Sequence, residues 1–216
     1  LLETGYQAIL LMRLAWEKYS FREVAPRFVE LTEAAAAEAA VSREKLIQLF
    51  GAARDRWIAD NPHDWLTRHR FYPGTIAKLK NIMPTCDVVI ATTKQERFVH
   101  RLLREQDCDL DENRVFGLDA GMSKAQVLDK VTSRPEARGA VCHFVEDRLA
   151  TLKRIAVEPD LRDVRLYLAD WGYNTEQHRS EAGNSSRLRV IAREDFLRFD
   201  GQTGLRPQPN GAPRPD

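Results

Sequence analysis

The chain has 216 residues, enough for one ordinary domain or a domain with a small accessory lobe. Hydrophobic residues make up 43% of it, so it can fill a core. Thirty-three Lys and Arg against 32 Asp and Glu leave a net charge of +1, which gives no electrostatic argument for nucleic acid or an anionic membrane as a partner.

Residues 1 to about 70 read as helical. Ile9, Met12, Leu14 and Trp16 fall near helical spacing. Val24 to Ala40 is rich in Ala and Glu, good helix formers. Ser42 is placed to cap a helix whose apolar stripe is Leu46, Leu49 and Phe50. Asn61–Pro62 breaks the pattern, and Trp57, Trp65 and Phe71 read as core or lobe-packing aromatics. No alternating strand signal and no internal repeat occurs in this part.

The texture changes at Phe71–Tyr72–Pro73–Gly74, a turn signal. A short helix is predicted over 75–81, then a buried strand over 86–92 that stops at Thr92–Thr93. Arg97, Phe98, Leu102 and Leu103 give the next helix, and Arg97, Arg101 and Arg104 read as its solvated face. Strand and helix alternate from there. Strands are predicted over 114–117, 140–145, 164–169 and 188–191. Helices are predicted over 123–131, capped by Ser123, over 148–156, and around Phe196. Such alternation indicates a mostly parallel sheet with helices on both faces. The tail from Gly201, rich in Gly, Pro, Gln and Asn, reads as disordered.

Three cysteines, Cys86, Cys108 and Cys142, are too few and too scattered for a disulfide framework. Cys86 and Cys142 beside apolar runs read as buried thiols. Cys142–His143 has no second half at zinc spacing. No apolar stretch reaches membrane-spanning length and no signal peptide is visible, so a cytoplasmic setting is expected.

Ligands in open α/β sheets bind past the carboxyl ends of the strands. Thr92/Thr93, Lys124, Glu146/Asp147 and Asp170 all fall at predicted strand ends or helix starts. Hydroxyls, an ammonium and carboxylates converging there suit a phosphate and a divalent cation. No G-x-S-x-G elbow and no G-x-G-x-x-G occurs, and GLDAGMSK (117–124) lacks the spacing of a phosphate loop.

The order ATTK (91–94), GMSK (121–124) and FVEDR (144–148) resembles motifs II, III and IV of the haloacid dehalogenase (HAD) superfamily. LYLADWGYNT (166–175) resembles a branch of its hydrolases, and FYPG is similar to the point where members re-enter the core after a helical cap. The resemblance covers 71–200 well and 1–70 only as a generic helical cap. It implies a Rossmann-like three-layer core with a helical cap lobe, a core over 71–200, and Mg²⁺-dependent hydrolysis of a small phosphorylated metabolite. Thr92 would bind the transferring phosphoryl group and Lys124 would be the motif III lysine. Asp147 would ligate Mg²⁺ with help from Glu146, and Thr93 and Asp170 would border the substrate. The family's motif I, D-x-D-x-T/V, supplies the aspartyl nucleophile and is absent from the chain. The resemblance places it upstream of Leu1, on a central strand between the strands of motifs II and IV. Without that strand the chain is expected to be poorly stable and inactive. A non-catalytic HAD-like module that binds a phosphorylated ligand or a protein partner is the alternative. A member acting on carbon–halogen or C–P bonds is a third reading.

Overall fold

The computed structural model describes residues 4–201. The first three residues, and the tail expected to be disordered beyond Gly201, lie outside the described residues. The chain divides into two compact units. The first comprises the described residues up to Phe71, Thr92–Asp111 and Gly117–Asp119; the second comprises the rest.

The first unit is helical. Helix α1 (Gln7–Trp16) is followed by α2 (Phe21–Val24), which a Ser20–Glu23 capping box starts, and by α3 (Phe28–Glu38). Leu10 and Leu14 of α1 meet Val24, Phe28, Leu31 and Ala35 in one core. Phe28, Leu31 and Ala35 lie three and four residues apart, the spacing of one helix face. Helix α4 (Arg43–Asp60) begins at Ser42, whose hydroxyl accepts the Lys45 N–H at 3.1 Å. Asn61 ends α4 and its side chain caps α5 (Pro62–Thr67), with Pro62 in the first turn where its missing N–H costs nothing.

Not every apolar residue of the helical spacing is inside. Met12 and Trp16 are 74% and 88% exposed, and Leu49 is 46% exposed. Of the three aromatics, Trp65 is buried to 1% exposure, whereas Trp57 and Phe71 are partly exposed. Trp57 uses its indole N–H on the Asp64 carboxylate at 2.8 Å. The core of this unit already has its face filled by α1, α3 and Leu46, so additional apolar positions turn outward.

The second unit opens with α6 (Thr75–Ile82). Gly74 precedes it at φ 83°, and a side chain there would also press on Leu197 at 3.0 Å. Strand β1 (Ile90–Ala91) follows. The chain then enters the first unit as α7 (Glu96–Arg104), where Phe98 and Leu102 pack on Trp65. Back in the second unit, β2 (Val115–Phe116) pairs parallel with β1, Ile90 opposite Val115. Then come α8 (Lys124–Thr132), β3 (His143–Glu146), α9 (Leu149–Ala156), β4 (Arg165–Ala169), α10 (Glu176–Gly183), β5 (Leu188–Ile191) and α11 (Arg193–Arg198). Strands β3, β4 and β5 form a parallel sheet in that order, with Glu146 opposite Leu168 and Ala169 opposite Ile191.

Leu166 and Leu168 of β4 join Leu152 and Ile155 of α9 in one core, while Tyr167 and Ile191 face a second cluster with Phe196. Strand β4 is thus covered on both faces, as parallel strands generally are. Between the two sheets no backbone pairing joins β1 to β3 among the described residues. The strand expected over 86–92 is correspondingly short. Its first half makes no ladder, and Asp87 is held instead by ion pairs to Arg114 and Arg134.

The expected buried thiols are redistributed. Cys108 is the buried one, and Cys86 and Cys142 are half-buried. Arg97, Arg101 and Arg104 lie on the exposed side of α7, facing Asp55, Glu105 and Asp109.

Helix α8 starts with a full capping box. The Ser123 hydroxyl accepts the Gln126 N–H, and the Gln126 side chain accepts the Ser123 N–H at 2.8 Å. Ser123→Ala is expected to cost about 1 kcal/mol, the usual worth of such a cap. Urea denaturation should show a lower midpoint with an unchanged slope.

Candidate functional site

Parallel strands put their carboxyl ends on one edge of a sheet. In the second unit that edge carries Glu146 at the end of β3, Asp147 just after it, and Asp170 just after β4. Lys124, the first residue of α8, reaches the same edge. Its ammonium lies 2.5 Å from Glu146 Oε2.

Glu146 is 6% exposed, so its charge is costly unless answered. Lys124 answers one oxygen, and the Arg148 N–H donates to the other at 3.2 Å. Burial nevertheless holds the Glu146 carboxyl above its ordinary range, outweighing the downward pull of Lys124.

Asp147 is fixed differently. Its Oδ2 accepts the Tyr173 N–H at 2.9 Å, and its backbone carbonyl accepts from Asn174 Nδ2 at 3.0 Å. The same amide donates to the Ala169 carbonyl at 2.7 Å, so Asn174 ties the ends of β3 and β4 together. Gly172 lies directly on the Asp147 side chain: a Cβ there would be 2.1 Å from Asp147 Cβ. The loop 172–174 therefore shapes the carboxylate's position, and only glycine fits at 172. Tyr72 also borders this edge. Burial, then Tyr173 and Asp147, push its phenol upward. Asp170 is anchored through its N–H to the Ile191 carbonyl at 3.0 Å.

Thr92 and Thr93 belong to the first unit, in the loop between β1 and α7. The Thr92 hydroxyl accepts the Lys94 N–H at 3.1 Å. The Leu118 N–H donates to the Lys94 carbonyl, and Glu96 accepts the Gly117 and Asp119 N–H groups. A Cβ at Gly117 would meet the Lys94 carbonyl at 2.3 Å, so this close backbone approach requires glycine. The structure thus brings Lys124, Glu146, Asp147 and Asp170 to one sheet edge, and holds Thr92 and Thr93 in a well-tied loop of the other unit.

The arrangement at the sheet edge can bind an oxyanion through Lys124 and share a cation through carboxylate oxygens. Among the described residues no three His, Cys, Asp or Glu side chains gather into a metal-holding group. Mg²⁺ does not require one, since it takes one or two carboxylates and completes its shell with water and substrate phosphate. Asp147 fits that role, because Oδ2 is held by a backbone N–H and Oδ1 has no protein hydrogen bond among the described residues. Glu146 is engaged by Lys124 and fits as the supporting carboxylate. Cys142–His143 is a packing pair. Burial raises the Cys142 thiol, and His143 Nδ1 lies 3.1 Å from the Tyr167 hydroxyl with its ring on Phe199.

Gly172 and Asn174 carry no assigned role in the sequence reading, although both lie in the LYLADWGYNT stretch. A glycine and an amide just past a strand end are the available signal for a shaped loop. No protein-family model matches the chain, and no curated protein and no solved structure matches it. Among the described residues no helix is long and apolar enough to cross a membrane.

Proposed function

We propose that the chain is part of a HAD-type hydrolase that cleaves a small phosphomonoester. The observation that carries this reading is the buried Lys124–Glu146 pair beside a backbone-held Asp147 at the carboxyl edge of a parallel sheet. An ammonium next to carboxylates at that edge suits a phosphoryl group and Mg²⁺ together. In the finer fold reading, β1–β2 and β3–β4–β5 are the two sides of a Rossmann-like three-layer core. The missing ladder between β1 and β3 agrees with a central strand that the chain does not contain.

The residues divide the work as follows. Lys124 neutralises charge on the transferring phosphoryl group. Asp147 holds the cation, supported by Glu146, and the Tyr173 N–H fixes its carboxylate. By resemblance, the Thr92 hydroxyl orients the phosphoryl oxygens, and Thr93 and Asp170 border the substrate. Mg²⁺ held there would supply Lewis-acid charge to the phosphoryl oxygens. The reading requires an aspartyl nucleophile in a D-x-D-x-T/V pattern, which does not occur among these 216 residues.

The test joins a D-x-D-x-T/V strand segment to the chain and measures phosphate release from an aryl phosphate. Mg²⁺-dependent turnover is expected, with Asp147→Asn and Lys124→Met each losing activity by about 10²-fold or more. Turnover that ignores chelation of Mg²⁺, or an Asp147→Asn variant as active as the parent, would overturn the reading. The second reading, a non-catalytic module that binds a phosphorylated ligand or a protein partner, is favoured by the absent nucleophile pattern alone. It predicts binding of phosphorylated metabolites by the extended chain with no turnover.

A further inference from the structure

The loop that leaves β4 at the carboxyl edge is tied down along its length, yet it displays one aromatic ring to solvent. Trp171 turns inward, its ring 5.9 Å from that of Phe196. Gly172 lies on the Asp147 side chain, and its carbonyl accepts the Asn174 N–H at 2.9 Å. The Tyr173 N–H goes to Asp147 Oδ2. Asn174 donates to the Asp147 and Ala169 carbonyls, and its own side-chain oxygen accepts from Arg179 Nη1 at 2.9 Å. Thr175 ends the loop as the N-cap of α10, its hydroxyl accepting the His178 N–H at 3.3 Å.

Only the Tyr173 side chain stands outside this net. It is 87% exposed, and it has no hydrogen bond and no ring contact among the described residues. Its place is nevertheless fixed. The ring hangs from the Cα bonded to the amide nitrogen that lies 2.9 Å from Asp147 Oδ2, so every rotamer keeps it beside that carboxylate. A single aromatic on an ordinary surface loop needs no explanation. Here the loop is ordered by contacts that do not involve the ring, so a ligand that stacks on it would cost the protein little freedom. Tyrosine suits that use, being large and rigid with two side-chain torsions.

We infer that Tyr173 is a specificity-determining residue whose ring stacks on a planar ring in the leaving group of the substrate, as in a nucleoside 5′-monophosphate. The inference rests on the proposed hydrolase, because a phosphoryl group held at Lys124 and Asp147 sets its leaving group beside this loop. Stacking on an aromatic side chain tolerates any base, so the ring selects for a planar group and not for one particular base. Tyr173 then has two separate roles: its backbone positions Asp147, and its side chain selects the substrate.

The test measures Kd for the 216-residue chain by calorimetry in excess Mg²⁺, with adenosine 5′-monophosphate and ribose 5-phosphate as ligands. The two share the phosphoryl group and differ in the base. The nucleotide is expected to bind on the order of tenfold more tightly, the usual worth of one base stacked on an aromatic side chain. Tyr173→Phe should keep that preference and Tyr173→Ala should abolish it. Both variants keep the backbone N–H to Asp147, so the ratio of the two affinities reads the ring alone. In a chain carrying ε-¹³C-tyrosine, the Tyr173 signal (assigned by its absence in Tyr173→Phe) should move upfield with the nucleotide and not with ribose 5-phosphate. Asp147→Asn should weaken both ligands alike. Equal affinity of the parent for the two ligands, or a preference that survives Tyr173→Ala, in a chain whose binding does depend on Asp147, would overturn the inference and leave the hydrolase reading standing. Absence of binding by either ligand, or binding that Asp147→Asn does not weaken, would overturn both.

Discussion

Lys124→Ala should lower the stability of the second unit by about 3–5 kcal/mol, the usual cost of leaving one partner of a buried pair alone. The Glu146 side chain is 5% exposed and its ammonium partner is 22% exposed, so solvent has little access to the carboxylate once Lys124 is gone. The Arg148 N–H remains, but one neutral donor does not replace an ammonium at 2.5 Å. Burial already raises the Glu146 carboxyl with Lys124 present. The double variant Lys124→Met/Glu146→Gln should recover most of the loss, because a neutral amide needs only its hydrogen bonds. A double-mutant cycle by urea denaturation measures the coupling. A single-variant loss below about 1 kcal/mol would place the pair among surface ion pairs and remove the argument that a functional constraint keeps it.

Such a pair is poorly explained by stability alone, since apolar residues of similar volume commonly serve as well or better. What it provides is a fixed ammonium at a strand edge. The site was legible to that extent. Lys124 follows the Ser123 cap, and Glu146–Asp147 end an apolar run, so local pattern alone puts them at one edge. The helix starts at Ser42 and Ser123 and the strand over 188–191 were legible for the same reason, because caps and strand runs are local signals.

What was not legible depends on contacts far apart in sequence. Met12, Trp16 and Leu49 share helical spacing with buried neighbours, and only the packing of α1 on α3 decides which of them turn outward. The run from Cys86 looks like strand throughout, yet a strand exists only where a partner pairs with it, and β2 offers two residues. Gly172 reads as a turn residue until Asp147 is seen lying on it.

Lys94→Met should make the first unit more stable at pH 7, by about 2 kcal/mol after discounting for the solvent that still reaches the ammonium. Lys94 titrates at about 8 in the folded chain against 10.5 for a free lysine, through burial first and then the charge of Arg54. Below pH 8 both folded and unfolded chains hold the proton, and the folded chain bears the full cost of the buried charge. Between about 8 and 10.5 the unfolded chain still holds it and the folded chain does not, so stability rises with pH across that window. Met has a similar length and keeps the packing while removing the charge. The variant should therefore be the more stable chain at pH 7 and lose its advantage by about pH 10.5, where wild-type Lys94 is neutral in both states. The informative quantity is the difference between the two chains, from urea denaturation at matched pH, because every other titrating group is common to both. Parallel pH profiles for the two chains, or a Lys94→Met variant less stable at pH 7, would show that Lys94 carries no buried-charge cost.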